Sequence, residues 1–167
     1  DLPDMEPLIP GIPKTLYVAG AQVALVEVDI FTGKVDVLNM HNIIDAGKVI
    51  NRQGVEGQSE GGLVQGLGYA LYEDCILSEG KLLNHDFSTY IIPSIHDIPG
   101  EIITTILEEP STIGPYGAKG VAEVVIVPTA PAILNAVCDA IGERFTKIPL
   151  TQEDVKMRMI GYQENDS

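Results

Sequence analysis

The sequence predicts an α+β fold, with antiparallel hairpins and a mixed sheet packed with about three helices. Three observations predict it. Runs of alternating or β-branched residues come in pairs around short turns, first between Leu16 and Ile44 and again between Cys75 and Leu83. Apolar residues recur at helical spacing in two later stretches, and a capping pattern opens a third. Strands and helices follow one another irregularly, unlike the regular strand–helix repeat of a doubly wound sheet. A chain of 167 residues, 45% of them hydrophobic, fits one domain with a real core.

Residues 1–15 carry Pro3, Pro7, Pro10 and Pro13 with few packing residues between them, which predicts an extended arm or linker. The domain then runs over 16–160, with a disordered tail expected at 161–167. Tyr17 to Asp29 is β-rich, and its alternation is clearest from Leu25 to Asp29. Thr32-Gly33-Lys34 makes a turn, and Val35 to Ile44 returns as the second strand of an antiparallel hairpin. Asp45-Ala46-Gly47 closes that strand, and Lys48 to Gly54 reads as a loop.

In the stretch Gly57 to Asp74, Leu63, Leu67, Ala70 and Leu71 share a helical face, so its second half is expected to be helix. Its glycines lower helix propensity by about 1 kcal/mol each relative to alanine. Their presence points to close packing against a sheet or a ligand. A small hairpin is expected around Ser78-Glu79-Gly80-Lys81, and Asp86 to Pro93 reads as an extended segment stopped by proline. Glu101 to Glu108 is a strand and Pro110 to Gly120 a loop. Ile133, Leu134, Val137 and Ile141 mark a helix over 129–141, with Thr129 as its N-cap and Gly142 as its stop. Thr151-Gln152-Glu153-Asp154 approximates a capping box for a last helix ending near Ile160.

Ten basic against 24 acidic residues give a net charge of −14, which argues against nucleic acid and anionic membrane surfaces as partners. No apolar run is expected to approach the length of a bilayer span, and the first residues do not resemble a signal peptide. Cys75 and Cys138 stand far apart, outside any CxxC pair, as expected of reduced thiols in a cytoplasmic protein.

One stretch stands out chemically: Gly117-Ala118-Lys119-Gly120-Val121-Ala122-Glu123, followed by Val124-Val125-Ile126-Val127. The glycines allow a tight turn and close approach to a ligand, and the apolar run after Glu123 is expected to lead into the core. A carboxylate between a flexible loop and an apolar wall is costly unless paired, hydrogen-bonded or neutralised. General bases draw on such environments, although many Gly-rich turns are only turns. Gln58 offers an amide that both donates and accepts, suited to a heterocycle edge or a phosphate, or equally to bonding its own backbone at a helix start. Gln65 shares that ambiguity. Lys119 could neutralise a phosphate, pair with Glu123, or stand as a solvated loop lysine. Asp45 is most simply a turn former.

Other sites are excluded. No phosphate-loop pattern is present, and Gly66-x-Gly68 lacks the third glycine of a dinucleotide fingerprint. His41, His85 and His96 are scattered along the chain, so no metal site is predicted from protein ligands. Ser59 mimics a nucleophile elbow but lacks the buried strand that an elbow needs before it.

Six blocks in order carry a resemblance. They are Val26-Glu27-Val28-Asp29-x-x-Thr32-Gly33, then Asp45-x-Gly47-x-x-Ile50-Asn51, then Gly57-Gln58-x-Glu60-Gly61-Gly62-x-x-Gln65-Gly66-x-Gly68. After these come Tyr90-x-Ile92-Pro93, Gly117-x-Lys119-Gly120-x-x-Glu123 and Asn135-Ala136-Val137-x-Asp139-Ala140. Together they resemble the C-terminal part of the molybdenum-cofactor-binding large subunit of the xanthine dehydrogenase and aldehyde oxidase family of molybdenum hydroxylases. The resemblance implies half of a molybdopterin-binding domain. It implies that Glu123 is the catalytic base, acting on a molybdenum-bound hydroxide that attacks an electron-poor carbon of an N-heterocycle or aldehyde. Gln58, Lys119, Gly120, Val121 and Ala122 would contact or flank the cofactor.

The implied cofactor is molybdenum-pyranopterin, as molybdopterin or its cytosine dinucleotide, with the metal held by the pterin dithiolene. 2Fe-2S clusters and FAD would sit on partner chains or other segments, since two lone cysteines cannot build a cluster. The implied partners are the remainder of the molybdopterin subunit, iron–sulfur and FAD subunits, and a small heterocycle or aldehyde. The chain is much shorter than such a subunit, so alone it is expected to be incomplete and inactive. The family's glutamate is often followed by Pro or Gly, whereas Val124-Val125 follows here, which implies a differently shaped loop. The competing reading is a non-catalytic accessory or interaction fragment with the same fold.

Overall fold

The computed structural model describes residues 17–165; the expected arm at 1–15 lies outside the described residues. Strand β1 (Gly20–Val28) pairs antiparallel with β2 (Val35–Asp45), and β2 pairs parallel with β5 (Glu101–Leu107). The result is the expected mixed sheet, in the order β1-β2-β5. The hairpin turn forms because Asp29 Oδ1 accepts from the amides of Phe31 (2.7 Å) and Thr32 (2.9 Å). Gly33, at φ +77°, lies so close to the last helix that an added Cβ would stand 2.3 Å from the Gln152 carbonyl oxygen.

β2 changes phase part-way. Leu25 faces Asn39 and Val26 faces Val37, which leaves Leu38 without a partner in a β-bulge. Val35 and Val37 face the core before the bulge, and Met40, Asn42 and Ile44 face it afterwards. Helices α1 (Arg52–Leu71) and α2 (Ile126–Ile141) cover that face of the sheet. The main core joins Val37, Met40 and Ile44 to Leu63, Leu67 and Ala70 of α1, and to Val125 and Ile133. A second cluster joins Val35 and Val137 to Leu150 and Val155, and so docks α3 (Gln152–Asn165).

Several boundaries differ from expectation. α1 begins at Arg52 rather than in the second half of the glycine stretch, because Asn51 caps it by accepting from the Gly54 amide at 3.0 Å. An Arg52–Glu56 ion pair at 2.9 Å supports its polar first turns. Asp86 to Tyr90 is turn rather than extended chain, since the Thr89 and Tyr90 amides both donate to the Asp86 carbonyl, and Ile91 to Pro93 follow without regular structure. The hairpin β3 (Leu77–Ser78) with β4 (Lys81–Leu82) forms as expected.

Thr129 is not an N-cap. A 3₁₀ turn over Glu123–Val125 leads straight into α2, and Thr129 lies buried with its hydroxyl donating to the Val125 carbonyl at 2.9 Å. Gly142 does end α2 in the left-handed conformation, at φ +75°. Taken with the 3₁₀ turn, Glu123–Ile141 spans 19 residues at a mean hydropathy of 1.8, long and apolar enough to cross a bilayer by length and composition. That corrects the expectation of no such run; the polar residues within it conceal its average. In this fold α2 packs on β1 and α1.

Thr151 and Asp154 form the expected reciprocal cap, with the Thr151 hydroxyl donating to the carboxylate at 2.7 Å and accepting from the Asp154 amide at 3.1 Å. α3 continues to Asn165, past Ile160 and into the stretch expected as a tail.

Candidate functional site

The loop before Glu123 is held by the end of β2. Asp45 closes that strand and aims its carboxylate back at three donors. Oδ1 accepts from the Gly47 amide at 2.9 Å and the Glu109 amide at 3.2 Å, and Oδ2 pairs with the Lys119 ammonium. The side chains of Lys119 and Asp45 are only 14% and 9% exposed, so water barely screens the pair. Burial pushes the Asp45 carboxyl up, but the Lys119 ammonium and the two amides override it and hold it below the ordinary carboxylate value. Backbone bonds complete the clamp, from Lys48 N to Gly117 O at 2.8 Å and from Lys119 N to Ala46 O at 3.0 Å. Only glycine fits at Gly47, where φ is +61° and a Cβ would stand 2.4 Å from the Gly117 carbonyl oxygen.

Lys119 neither pairs with Glu123 nor stands as a solvated loop lysine: its ammonium pairs with Asp45. Asp45 is more than a turn former. The three-way clamp is invisible in sequence because residue 109 reaches residue 45 through the parallel β2–β5 pairing and residue 119 through the Gly47–Ala118 bridge.

Past the clamp the chain opens. Gly120 has nothing within 4 Å of where a Cβ would point, and Gly57 and Gly61, one turn apart on α1, are open in the same way. A cleft of about 330 Å³ lies along this flank, where Ala122, Glu123 and Ile126 face Gly57, Gln58, Gly61, Gly62 and Gln65. A second cleft of about 370 Å³ adjoins it, lined by Lys48 to Asn51, Gln58, Lys119, Val121 and Ala122 among others. Both volumes suit a small-molecule subsite. The structure thus brings Gln58 and Glu123 to one cleft, with Ala122 and Gln58 shared by both. Gln58 lies in the second turn of α1, so it is not a helix-start residue. Gln65 donates to the Tyr69 hydroxyl at 3.2 Å.

Glu123 is exposed, not buried against an apolar wall. Of the residues after it, Val125 enters the core while Val127 is 74% exposed. Ser59 is fully buried inside α1 and bonded to Asn42 and Thr104, which removes the nucleophile-elbow geometry.

The molybdopterin cofactor-binding domain model matches residues 9–99. The chain belongs to that family. Within the cofactor-binding family, it is 37% identical over 140 residues to a probable xanthine dehydrogenase subunit from Bacillus subtilis, covering 84% of this chain and 19% of that protein. The aldehyde oxidoreductase structure from Desulfovibrio gigas superposes with a TM-score of 0.78 at 33% identity, over 86% of this chain and 15% of that one. Quinoline 2-oxidoreductase from Pseudomonas putida 86 superposes with a TM-score of 0.76 at 31% identity, over 82% and 18%. The chain spans about a fifth of the length of the curated relatives it matches. The cofactor-binding match includes α1 and Gln58, while Glu123 lies in the part reached by the relatives and the superpositions.

The glycine flank is the test of whether this chain's residues fit such a cofactor. Glycine in a helix interior costs about 1 kcal/mol relative to alanine. At Gly57 and Gly61 no described residue packs where a side chain would stand, so packing within the described fold does not account for that cost. Open helix backbone beside the amides of Gln58 and Gln65 leaves room for a planar ring system at close approach. The fit is good.

Proposed function

We propose that this chain forms one wall of a molybdenum-pyranopterin site in a hydroxylase of N-heterocycles or aldehydes, with Glu123 as general base. The observation that carries it is the single cleft in which Glu123 faces Gln58 across the open Gly57–Gly61 flank. Gln58 presents both donor and acceptor to the cofactor edge, and Gly120, Val121 and Ala122 give backbone at close range. The Asp45–Lys119 clamp holds the lead-in to that backbone. When bound, molybdenum-pyranopterin supplies the two-electron oxidation and the centre at which water oxygen is passed to substrate, whether as molybdopterin or its cytosine dinucleotide. Glu123 takes the proton that this transfer releases; its exposed carboxylate makes no hydrogen bond or ion pair with another described residue.

The remaining walls come from the rest of the cofactor subunit, with 2Fe-2S and FAD chains receiving the electrons. The outer sheet face supports such covering: Val23 and Leu25 on β1, and Ile103 and Leu107 on β5, are 44–66% exposed on either side of β2. The free thiols of Cys75 and Cys138 suit a cytoplasmic setting.

The reaction class is tested by turnover of the assembled enzyme in water enriched in oxygen-18. The label is expected in the hydroxylated product; label arriving from dioxygen instead would exclude this chemistry. The glycine flank gives a separate expectation. Gly61→Ala should stabilise α1 by roughly 1 kcal/mol in the chain alone, yet lower the molybdenum and pterin retained after assembly. Unchanged cofactor content would remove α1 from the cofactor wall.

A further inference from the structure

We infer that Gln22 is a positioning residue for Glu123, pinning from β1, on the buried face of the sheet, the short turn that carries it. This rests on the reading of Glu123 as base.

The buried face of the sheet is built in cross-strand rows. Ala24, Met40 and Ile102 form one row, and Gly20, Ile44 and Ile106 form another. Between them runs a polar row of Gln22, Asn42 and Thr104, with Ser59 of α1 directly over it. The Asn42 amide donates to Ser59 Oγ at 2.7 Å, and Ser59 Oγ shares a hydrogen with Thr104 Oγ1 at 2.8 Å. Gln22 Nε2 uses its two hydrogens on Asn42 Oδ1 at 3.0 Å and on the Val125 carbonyl at 2.8 Å. The Val125 carbonyl also accepts from the Thr129 hydroxyl at 2.9 Å, but Thr129 belongs to the same helix. Gln22 reaches it from 103 residues away.

Stability alone does not explain this amide. Gln22 Oε1 is buried with no partner among the described residues. A buried acceptor left unsatisfied is destabilising and offsets part of what the two donated bonds contribute to the fold. What the amide adds is direction. Glu123 sits in a 3₁₀ turn of three residues that no side chain caps, and Gly120 just before it is open on its Cβ side. The buried Val125, two residues on, is where the turn meets the core. Fixing the Val125 carbonyl limits the directions in which the Glu123 carboxylate can point, and small misplacements of a catalytic group are costly.

The test uses Gln22→Met in the assembled, cofactor-bearing subunit, read by hydrogen–deuterium exchange and by kinetics. Losing the bond to the Val125 carbonyl should speed amide exchange over residues 123–127 by about five- to tenfold. Exchange in β2 and β5 should change less than at 123–127, and the melting temperature should fall only modestly, because Asn42 Oδ1 loses its donor. kcat should drop while KM and bound molybdenum hold. If Gln22→Met does not accumulate, Gln22→Asn, one methylene too short to reach Val125, takes its place with the same expectations.

Unchanged exchange at 123–127, faster exchange spread evenly through the sheet, or faster local exchange with kcat intact would each overturn the proposal. The exchange readout does not need Glu123. Should Glu123→Gln keep full turnover, the base reading falls while the tether is still measured.

Discussion

Glu123→Gln in the assembled enzyme is expected to lower kcat by a factor of about 10² to 10⁴, the usual contribution of a positioned general base. That corresponds to roughly 3–5 kcal/mol in the barrier. The substitution keeps the shape of the side chain and removes only its capacity to take a proton. Because Glu123 is exposed and bonds to no other described residue, folding should hardly notice. Melting temperature, molybdenum content and subunit assembly should therefore match the parent enzyme. That separation makes the result decisive. A rate within about twofold of the parent would mean that the proton goes elsewhere.

Asp45→Asn should have the largest effect on the fold. It would strand the ammonium of Lys119, only 14% exposed, beside a neutral amide. Breaking a buried pair by removing one partner costs about 3–5 kcal/mol, a large share of the roughly 5–15 kcal/mol that holds a domain together. Chemical denaturation should show it as a lower midpoint with an unchanged slope. Lys119→Met should cost less, because Asp45 would keep the Gly47 and Glu109 amides. The double variant should recover part of the loss.

The sign with pH follows from the depressed Asp45 value. Its stabilisation is complete above the ordinary carboxyl range, near pH 4, and is lost as pH falls through the lower value of the folded state. Parent and Asp45→Asn stabilities should accordingly converge as the pH is lowered. A constant gap across the acid range would contradict the pairing.

Much of this was legible in the sequence because period-two and helical patterns report burial directly. β1, β2 and β5 follow their alternation, Gly142 stops α2, and Thr151 with Asp154 caps α3. The start of α1 was not legible, since Arg52 to Glu60 is polar and glycine-bearing and only Asn51 signals it. The cleft residues Gln58 and Glu123 were found through their motif blocks. Their surroundings were not, because the partner of Lys119 depends on a long-range bridge between Gly47 and Ala118 that no local pattern encodes. Gln22 and Asn42 did leave a trace: each is a polar residue at a core-facing position of an otherwise apolar alternation. A polar interruption of that kind marks a network, here one that ends at the turn carrying Glu123.

The unpaired Leu38 has a consequence beyond strand geometry. It acts as a single inserted beat in β2, so odd-numbered residues point inward before it and even-numbered residues after it. Were Leu38 instead paired in a regular ladder running on from Val35 to Val37, His41 and Ile43 would turn inward while Asn42 faced outward. The polar row would dissolve, and with it the reach of Gln22 to the turn beneath Glu123. One extra residue on the strand far from the cleft thus decides which side of the molecule its wiring runs on.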